Sequence, residues 1–465
     1  MPLENYIFYS TLFMKKFYQF FLSVFCLLSF TISLSAQKNY FSGIAESAIP
    51  FSQEKRDIIP EKFQTLKVDV DGLHQFLWSL PKEETIHPNR DNAPVMWLPM
   101  PDGRNARFHV WESSIQEPGL EEKFPEIKTF AGQGIDDPYA SIRFDYNPYF
   151  GFRAQVLSSI TGRIYIDHYR RNDPGYCISY YHLDNNRSSN FHCLNDEMEM
   201  QARLAEINST TSTLAATCRG TTLSTYRLAI SCTGEYAQAV GGGQAGPTHA
   251  AIVTTINRVD GVYEIDLSVR LTLIANNNLI EYLNGTTDPF VNVISSSLLN
   301  ANQTNTDLVI GSANYDIGHI FTSDDNGLAG LGVVCTSGKA RGATGAPDLI
   351  GDGFDIDYVA HEMGHQFGAG HSFNSNTCAS SGGSVEPGGG TTIMAYAGIC
   401  APTENIQPHS DALFHALSYD QITNYITSGS GANCAVNSPT GNTLPVITVA
   451  TNNNFTIPIS TPFTL

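Results

Sequence analysis

Three histidines and one glutamate lie close together in the sequence, at spacings that suit a metal site. His361 and His365 are four residues apart, so a helix would present both imidazoles on one face. Glu362 follows the first histidine and would project near enough to act on a water molecule beside the metal. Gly368 can leave the helix with a positive φ and return His371 as a third ligand. Three neutral nitrogens and one open position predict a catalytic zinc site.

The composition limits what such a site can act on. The 465-residue chain has a net charge of −19, and from residue 216 onward 19 acidic residues stand against 6 basic ones. So acidic a surface would repel phosphates, which excludes nucleic acid as a partner. Some of these carboxylates are candidate ligands for structural calcium, while a solvated acidic face accounts for most of them. With 42% hydrophobic residues, most of the chain is expected to be globular, and we expect a monomer.

The N-terminus has the features of a secretory signal peptide. A basic start after Met14 precedes an apolar run over residues 17–34 and a small residue, Ala36. This pattern predicts a signal peptide over residues 1–36, with Met14 as the start and cleavage after Ala36; the alternative is a single membrane anchor. No later segment approaches the roughly 20 apolar residues of a spanning helix. We therefore expect a secreted protein with no stable membrane insertion after cleavage, and retention at the cell surface is compatible with this.

Changes in composition divide the remaining chain into three regions. Residues 37–215 contain segments in which apolar and polar residues alternate, which predicts a β-rich region that ends in an exposed linker. Residues 216–436 alternate strand-like and helix-like segments, as in a mixed α/β domain. Within them, residues 262–275 are predicted to form a long strand. Residues 437–465 have the composition of a linker and the first strands of a β-sandwich module, which favours a chain that is a fragment.

The helix that carries the histidines has a predicted start and a predicted buried face. Asp355 or Asp357 is expected to cap its first turn, because an aspartate side chain accepts hydrogen bonds from free backbone amides there. Val359, Met363 and Phe367 fall on the face opposite the histidines and are predicted to pack into the core.

A methionine completes the pattern, because Met394 lies 23 residues beyond His371 in the run Thr-Thr-Ile-Met-Ala-Tyr. The long histidine motif followed by a methionine-containing turn resembles the metzincin clan of zinc endopeptidases, and most of all its reprolysin or adamalysin-like branch in bacterial secreted form. The resemblance covers residues 224–434. It implies an α/β (α+β) catalytic domain with a twisted mixed sheet and an active-site helix, preceded by a β-rich prodomain.

The resemblance also implies roles for individual residues. His361, His365 and His371 correspond to the ligands of one catalytic zinc ion, and Glu362 corresponds to the general base. Met394 corresponds to the hydrophobic floor beneath the metal. The stretch resembling the family's edge strand, which would bind substrate as an added β-strand, consists of Gly327, Leu328, Ala329 and Gly330.

Two residues depart from the reprolysin pattern. Ser372 stands where reprolysins commonly have Asp directly after the third histidine. Tyr396 matches the position at which astacins and serralysins supply a tyrosine to the zinc. It is therefore either a catalytic residue that helps to stabilise the oxyanion or a packed, hydrogen-bonded tyrosine.

Eight of the nine cysteines lie beyond the predicted signal peptide, an even number that indicates disulfides in an exported protein. The pairs that the resemblance implies are Cys335–Cys434 and Cys378–Cys400, with Cys218–Cys232 as a third. Cys177 and Cys193 precede the predicted catalytic domain. Either they pair with each other, or one of them supplies a thiolate to the open zinc position as a latch.

The sequence thus predicts a secreted zinc-dependent endopeptidase, made as a precursor, that cleaves proteins or peptides by zinc-activated water with Glu362 as general base. The alternative is an exported adhesion or binding protein in which the β-rich regions bind a ligand and the metal site is vestigial. The intact Glu362 and the complete set of three histidines speak against that alternative.

Overall fold

Two β-sheets dominate the structure, a computed structural model that describes residues 38–86, 90–185, 191–210, 219–375, 378 and 385–443. Residues from Tyr40 onward form one compact unit. The predicted signal peptide over residues 1–36 lies outside the described residues, as do residues 444–465 of the predicted C-terminal module. In the described ranges no helix combines the length and the apolar character that crossing a bilayer requires.

The first sheet is an antiparallel sheet of nine strands in the order β1-β2-β9-β8-β7-β6-β5-β4-β3. Its strands are β1 Phe41–Gly43, β2 Gln64–Val68, β3 Val95–Pro99, β4 Asn105–Glu112, β5 Lys128–Gly134, β6 Ser141–Asn147, β7 Gly151–Leu157, β8 Ile164–His168 and β9 Tyr176–Tyr181. These strands confirm the prediction of a β-rich N-terminal region, and they follow the alternation of apolar residues in the sequence.

The second sheet is mixed, with six strands in the order β10-β14-β15-β13-β11-β12 and β18 paired to β11. Its strands are β10 His192–Cys193, β11 Thr222–Cys232, β12 Val269–Leu273, β13 Ile317–Thr322, β14 Asn326–Ala329, β15 Gly342–Gly345 and β18 Val436–Pro439. The short strands β16 Phe373–Asn374 and β17 Glu386–Pro387 form a separate parallel pair. Since β11, β12, β13 and β15 run parallel while β14 is antiparallel to β15, the predicted mixed sheet is confirmed.

The helices connect and cover these sheets. They are α1 Val70–Leu77, α2 Glu83–Ile86, α3 Pro118–Glu121, α4 Glu197–Thr210, α5 Gly234–Gly241, α6 Ala245–Leu267, α7 Ser296–Val309, α8 Ala360–Gln366 and α9 Ala416–Thr427. A π-helical segment, Gly353–Val359, leads directly into α8. Helix α6 is buried over most of its length and packs against strand β6 of the first sheet.

The prediction of a strand over residues 262–275 is wrong. Helix α6 continues to Leu267, the chain reverses at Ser268 with a φ of 51°, and only Val269–Leu273 is a strand. Val262 and Tyr263 are fully buried, because α6 lies between the two sheets and has core on several sides. A short apolar run in a helix of this kind has no amphipathic period, so periodicity alone cannot distinguish it from a buried strand.

The prediction that Asp355 or Asp357 caps the active-site helix is also wrong. Both residues lie inside the π-helical segment, whose cap position is Asp352. The Asp355 carboxylate instead accepts hydrogen bonds from Thr255 and Arg258 of α6. The Asp355 carboxylate is thus bonded to side chains of another helix and not to the free backbone amides of its own first turn. The predicted core face is nevertheless buried: Val359, Met363 and Phe367 have no exposed surface.

Buried charges join the first sheet to the segment that leads into α8. The Arg258 guanidinium lies 2.7 Å from Asp167 Oδ1 of β8 and 3.0 Å from Asp355 Oδ2. Arg153 of β7 binds the same Asp167 oxygen at 2.7 Å. Burial alone would raise the pKa of Asp167, but the two arginines lower it below its usual value. These four residues, Arg153, Asp167, Arg258 and Asp355, are called the Arg258 network.

Candidate metal centre

Helix α8 presents two imidazoles, and the turn after it returns a third. His361 and His365 project from the same face of α8, and their Nε2 atoms lie 3.1 Å apart. Gly368 has a φ of 93°, a conformation that glycine adopts readily, and it turns the chain back towards the helix. As a result His371 Nε2 lies 3.2 Å from His361 Nε2. The three histidines singled out in the sequence therefore converge.

Backbone carbonyls fix the orientation of the two helical imidazoles. His361 Nδ1 donates to Ile393 O and His365 Nδ1 donates to Ala369 O, each over 2.7 Å. With the proton held on Nδ1, the Nε2 lone pairs point towards the point of convergence, as metal ligation requires. Burial lowers the pKa of His371 to about 3, and burial together with the neighbouring His371 lowers that of His361 to about 3. The imidazoles are therefore neutral.

The spacing of these donors fits a tetrahedral zinc ion. Zinc–nitrogen bonds of about 2.0–2.1 Å give nitrogen–nitrogen distances of about 3.3 Å in a tetrahedron, close to the 3.1 and 3.2 Å observed. The Cys193 thiol lies 3.6 Å from His365 Nε2. A zinc–sulfur bond of about 2.3 Å gives a nitrogen–sulfur distance of about 3.6 Å. Within the described residues, Cys193 and the three histidines form the one cluster of this kind, with ligand atoms within 4.8 Å of one another.

Comparison with known families agrees with this geometry. Residues 222–426 match the family model for reprolysin-like metallopeptidases of family M12B. This segment is a reprolysin-like zinc metallopeptidase domain. No curated protein matches the chain.

The thiol reaches the metallopeptidase domain from the N-terminal region. Strand β10 lies parallel to β14, with Cys193 opposite Gly327 and a hydrogen bond of 2.8 Å from Leu194 N to Gly327 O. Phe191, just before β10, stacks on Tyr358 with ring centroids 3.8 Å apart. The predicted edge strand is therefore covered on its outer side by residues 192–193.

Helix α4 continues this cover beyond the thiol. Met200, Leu204 and Ile207 are buried in the core of the metallopeptidase domain. Leu204 lies against Gly370, next to His371, and Ile207 lies against Gly332. Residues 191–207, here called the covering segment, thus cross the face on which the histidines lie.

The other predicted latch cysteine lies elsewhere. Cys177 is part of β9 and is buried in the core of the first sheet. Among the described cysteines, Cys177, Cys193 and Cys232 form no disulfide, so the expected Cys177–Cys193 pair is wrong. The proposed partner of Cys232, Cys218, lies outside the described residues, and the free thiol of Cys232 contradicts that pair too. The other two predicted pairs are confirmed, Cys335–Cys434 and Cys378–Cys400.

Glu362 is fully buried beside the edge strand. A side chain at Gly327 would collide with the Glu362 carboxylate, since a Cβ there would lie 2.1 Å from Oε1. Gly327 is therefore needed for the close approach of β14 to α8. Burial raises the pKa of Glu362 to about 8, and the Cys193 thiol opposes that change to a smaller extent.

Met394 and Tyr396 border the histidines on the other side. Met394 is fully buried, and its carbonyl accepts a hydrogen bond of 3.1 Å from Ser372 N. The Tyr396 ring stacks on Phe373 with centroids 4.2 Å apart and lies 4.8 Å from the His371 ring. Its hydroxyl donates to Cys193 O over 3.4 Å. Tyr396 is thus adjacent to the site and bonded to the covering segment.

The sequence did not indicate Phe191, Tyr358 or the buried Glu386 behind the histidines. Phe191 and Cys193 are two residues apart, so in an extended segment their side chains share a face. This spacing was the one sequence signal that could have placed Phe191 near the site. Tyr358 and Glu386 are isolated residues without a motif. Their contacts depend on the fold.

Proposed function

We propose that the protein is an exported zinc endopeptidase that is made as a latent precursor. The observation that supports this best is the convergence of His361, His365 and His371 around one point, beside Glu362, in a segment that belongs to a metallopeptidase family. In this proposal the three histidines hold one zinc ion through their Nε2 atoms.

Glu362 is the general base in this mechanism. Zinc, when bound, supplies a Lewis acid that lowers the pKa of a water molecule to about 7 and polarises the substrate carbonyl. The Glu362 carboxylate takes a proton from the attacking water and passes it to the departing amine. Burial raises its pKa to about 8, which would leave the carboxyl largely protonated at neutral pH. In the presence of a dication that pKa falls, which favours the ionised base.

Tyr396 and Met394 complete the proposed site. Once Cys193 has left, the Tyr396 hydroxyl is free to donate a hydrogen bond to the developing oxyanion. Met394 forms the apolar floor beneath the histidines.

The edge strand provides the proposed substrate site. Gly327, Leu328, Ala329 and Gly330 would pair with an extended peptide through backbone hydrogen bonds. The pairing of β10 with β14 supports this, because it demonstrates that this edge accepts an added strand. Backbone pairing does not select side chains strongly, so we propose a broad range of protein and peptide substrates.

Cys193 is the proposed latch, in preference to Cys177. Its thiol lies at the fourth corner of the histidine cluster, and burial raises its pKa well above the usual value. A zinc ion would reverse that effect, since it binds the thiolate. Water is excluded from the fourth position as long as the covering segment stays in place.

Export and processing complete the proposal. Two disulfides support an oxidising compartment, as expected for a secreted protein. Residues 37–215 act as the prodomain, 216–436 as the catalytic domain, and 437–465 as a linker and the start of a β-sandwich module, although strand β18 at Val436–Pro439 still belongs to the mixed sheet. We also propose that the processed enzyme is monomeric and that calcium, if bound, is structural.

Cleavage of casein by the purified, processed protein tests the proposed function. Chelation of zinc should abolish hydrolysis, and Glu362→Gln should lower kcat/KM by about 10²–10⁴-fold without releasing zinc, because it removes the base alone. Glu281→Gln, at a buried glutamate in another part of the domain, is the matched control and should retain activity. Hydrolysis at the wild-type rate by the Glu362 variant would refute the mechanism.

A further inference from the structure

A buried carboxylate lies behind the histidines, in β17. The Glu386 side chain is 5% exposed and accepts hydrogen bonds from two backbone amides, Thr391 N at 2.9 Å and Thr392 N at 3.1 Å. It also accepts from three hydroxyls, Thr392 Oγ1 at 2.6 Å, Thr391 Oγ1 at 3.4 Å and Ser372 Oγ. Such a set of donors matches a charged carboxylate, whose two oxygens provide about four acceptor sites. No chemical step in the proposed mechanism uses this group.

Glu386 joins the segments that carry or support two of the ligands. Ser372 directly follows His371, and its carbonyl accepts from Glu386 N at 2.9 Å. Thr391 and Thr392 directly precede Ile393, whose carbonyl holds His361 Nδ1. A further hydrogen bond, from Ser372 N to Met394 O, closes the connection between the two segments. One carboxylate therefore anchors the backbone on both sides of the histidine cluster.

His371 needs such an anchor more than the other ligands do. His361 and His365 are held by the regular geometry of α8, but His371 lies in a turn outside any helix or strand. The hydrogen bonds at Ser372 are one of the constraints that fix its position. Ser372 is uncharged, and the negative charge at this point comes from Glu386, 14 residues further along the chain.

We propose that Glu386 is a positioning residue that holds His371, and the carbonyl supporting His361, in the geometry that binds zinc. This rests on the proposed zinc site. Partners that orient metal ligands typically contribute about 10–100-fold to metal affinity. Removing the Glu386 carboxylate would leave two backbone amides and three hydroxyls without their common acceptor, and the segment that carries His371 would lose one of its anchors.

Zinc affinity tests the inference directly. It is measured by competition with a metallochromic chelator in the full chain carrying Cys193→Ser, so that the histidines alone hold the metal. Glu386→Ala should weaken zinc binding by about 10–100-fold, and Glu386→Gln, which keeps one carbonyl oxygen, should weaken it less. The spectrum of the cobalt-substituted protein should shift in both variants, because the ligand geometry changes.

Glu281→Ala is the matched control. Glu281 is also a buried glutamate, and it is hydrogen-bonded to His249 and Asn277. It contacts neither the three candidate zinc ligands nor the turn that contains Met394. This variant should lose stability while it keeps the wild-type zinc affinity and cobalt spectrum. If Glu386→Ala fails to fold, Ser372→Ala and Thr392→Val each remove one donor and should weaken zinc binding in the same direction.

Unchanged zinc affinity in the Glu386 variants, or in both donor variants, would overturn the inference. The measurement needs no peptidase activity, so the two proposals can fail separately. A chain whose zinc affinity depends on Glu386 but which cleaves no peptide would refute the proposed function alone.

Discussion

The two sheets of the molecule differ in what holds them together and in what they contribute to the site. The nine-stranded sheet has its own core, with residues such as Leu66, Phe144 and Ile166. The mixed sheet belongs to the part of the chain that carries the three histidines, on α8 and just after it, and this part shares its core with the covering segment of the N-terminal region. In the proposed precursor, the region that precedes the metallopeptidase domain thus combines a sheet that has its own core with one inhibitory extension, the covering segment.

The boundary between the sheets is not a weak one. The Arg258 network places four fully or nearly fully buried charges across it. Its Asp355 lies six residues before His361, in the segment that leads into α8. The first sheet and the active-site helix are therefore coupled through side chains as well as through the chain itself.

The largest expected effect comes from the thiol of the covering segment, and it distinguishes this segment from the core of the nine-stranded sheet. Cys193→Ser removes the thiol at the fourth corner of the histidine cluster, so the uncut chain should change from latent to active. Cys177→Ser, in the core of the sheet, is the control and should leave the chain latent. Peptide hydrolysis by the uncut chains measures the difference. A latent Cys193 variant would mean that the covering segment blocks the site without its thiol.

Next in size is the coupling between the two sheets. Arg258→Met leaves Asp167 and Asp355 buried without their shared partner, which should lower the free energy of unfolding by about 3–5 kcal/mol. Arg107→Met, which breaks an exposed pair with Asp136, should change the free energy of unfolding little, because solvent screens that pair. Urea denaturation of the full chain measures both. Equal losses in the two variants would indicate that the boundary contributes little.

A smaller change tests the covering segment itself. Leu204→Ala and Leu73→Ala each remove a buried leucine, one from the covering segment and one from the core of the nine-stranded sheet, at a cost of about 2–5 kcal/mol each. Only Leu204→Ala should give the uncut chain partial activity, because Leu204 packs next to His371. Comparable activation by Leu73→Ala would show that any loss of stability in the N-terminal region opens the site.

The smallest predicted effect is a pH dependence at the boundary. Asp145 of β6 accepts a hydrogen bond from Thr254 of α6, and burial raises its pKa to about 6, although Arg153 and Arg258 oppose this. Because the folded pKa exceeds the unfolded value of 3.8, the folded state binds more protons between these values. The contribution of Asp145 to the free energy of unfolding is complete below about pH 4 and is lost as the pH rises through about 6.

Unfolding by urea at several pH values, with a chelator present so that zinc release does not contribute, checks this dependence. Asp145→Asn should flatten the stability profile over this interval. Parallel profiles for the variant and the wild type would contradict the assignment.

The sequence by itself determined the chemistry of the site and most of the strands. The spacing of His361 and His365 is a local property of a helix, and the positive φ at Gly368 is a local property of a turn, so both could be predicted. The alternation of apolar residues likewise predicted a β-rich N-terminal region, because each strand has a period of two, but it did not predict the number or order of the strands.

Only the tertiary structure decided the contacts between residues far apart in the chain. It selected Cys193 over Cys177, made Asp355 part of an ion network instead of a helix cap, and placed Glu386 behind the histidines. It also made residues 262–267 the end of a buried helix. There, packing against core residues on several sides outweighs the strand preference of the β-branched residues. These outcomes depend on which surfaces meet when the two sheets pack, and no local pattern encodes that.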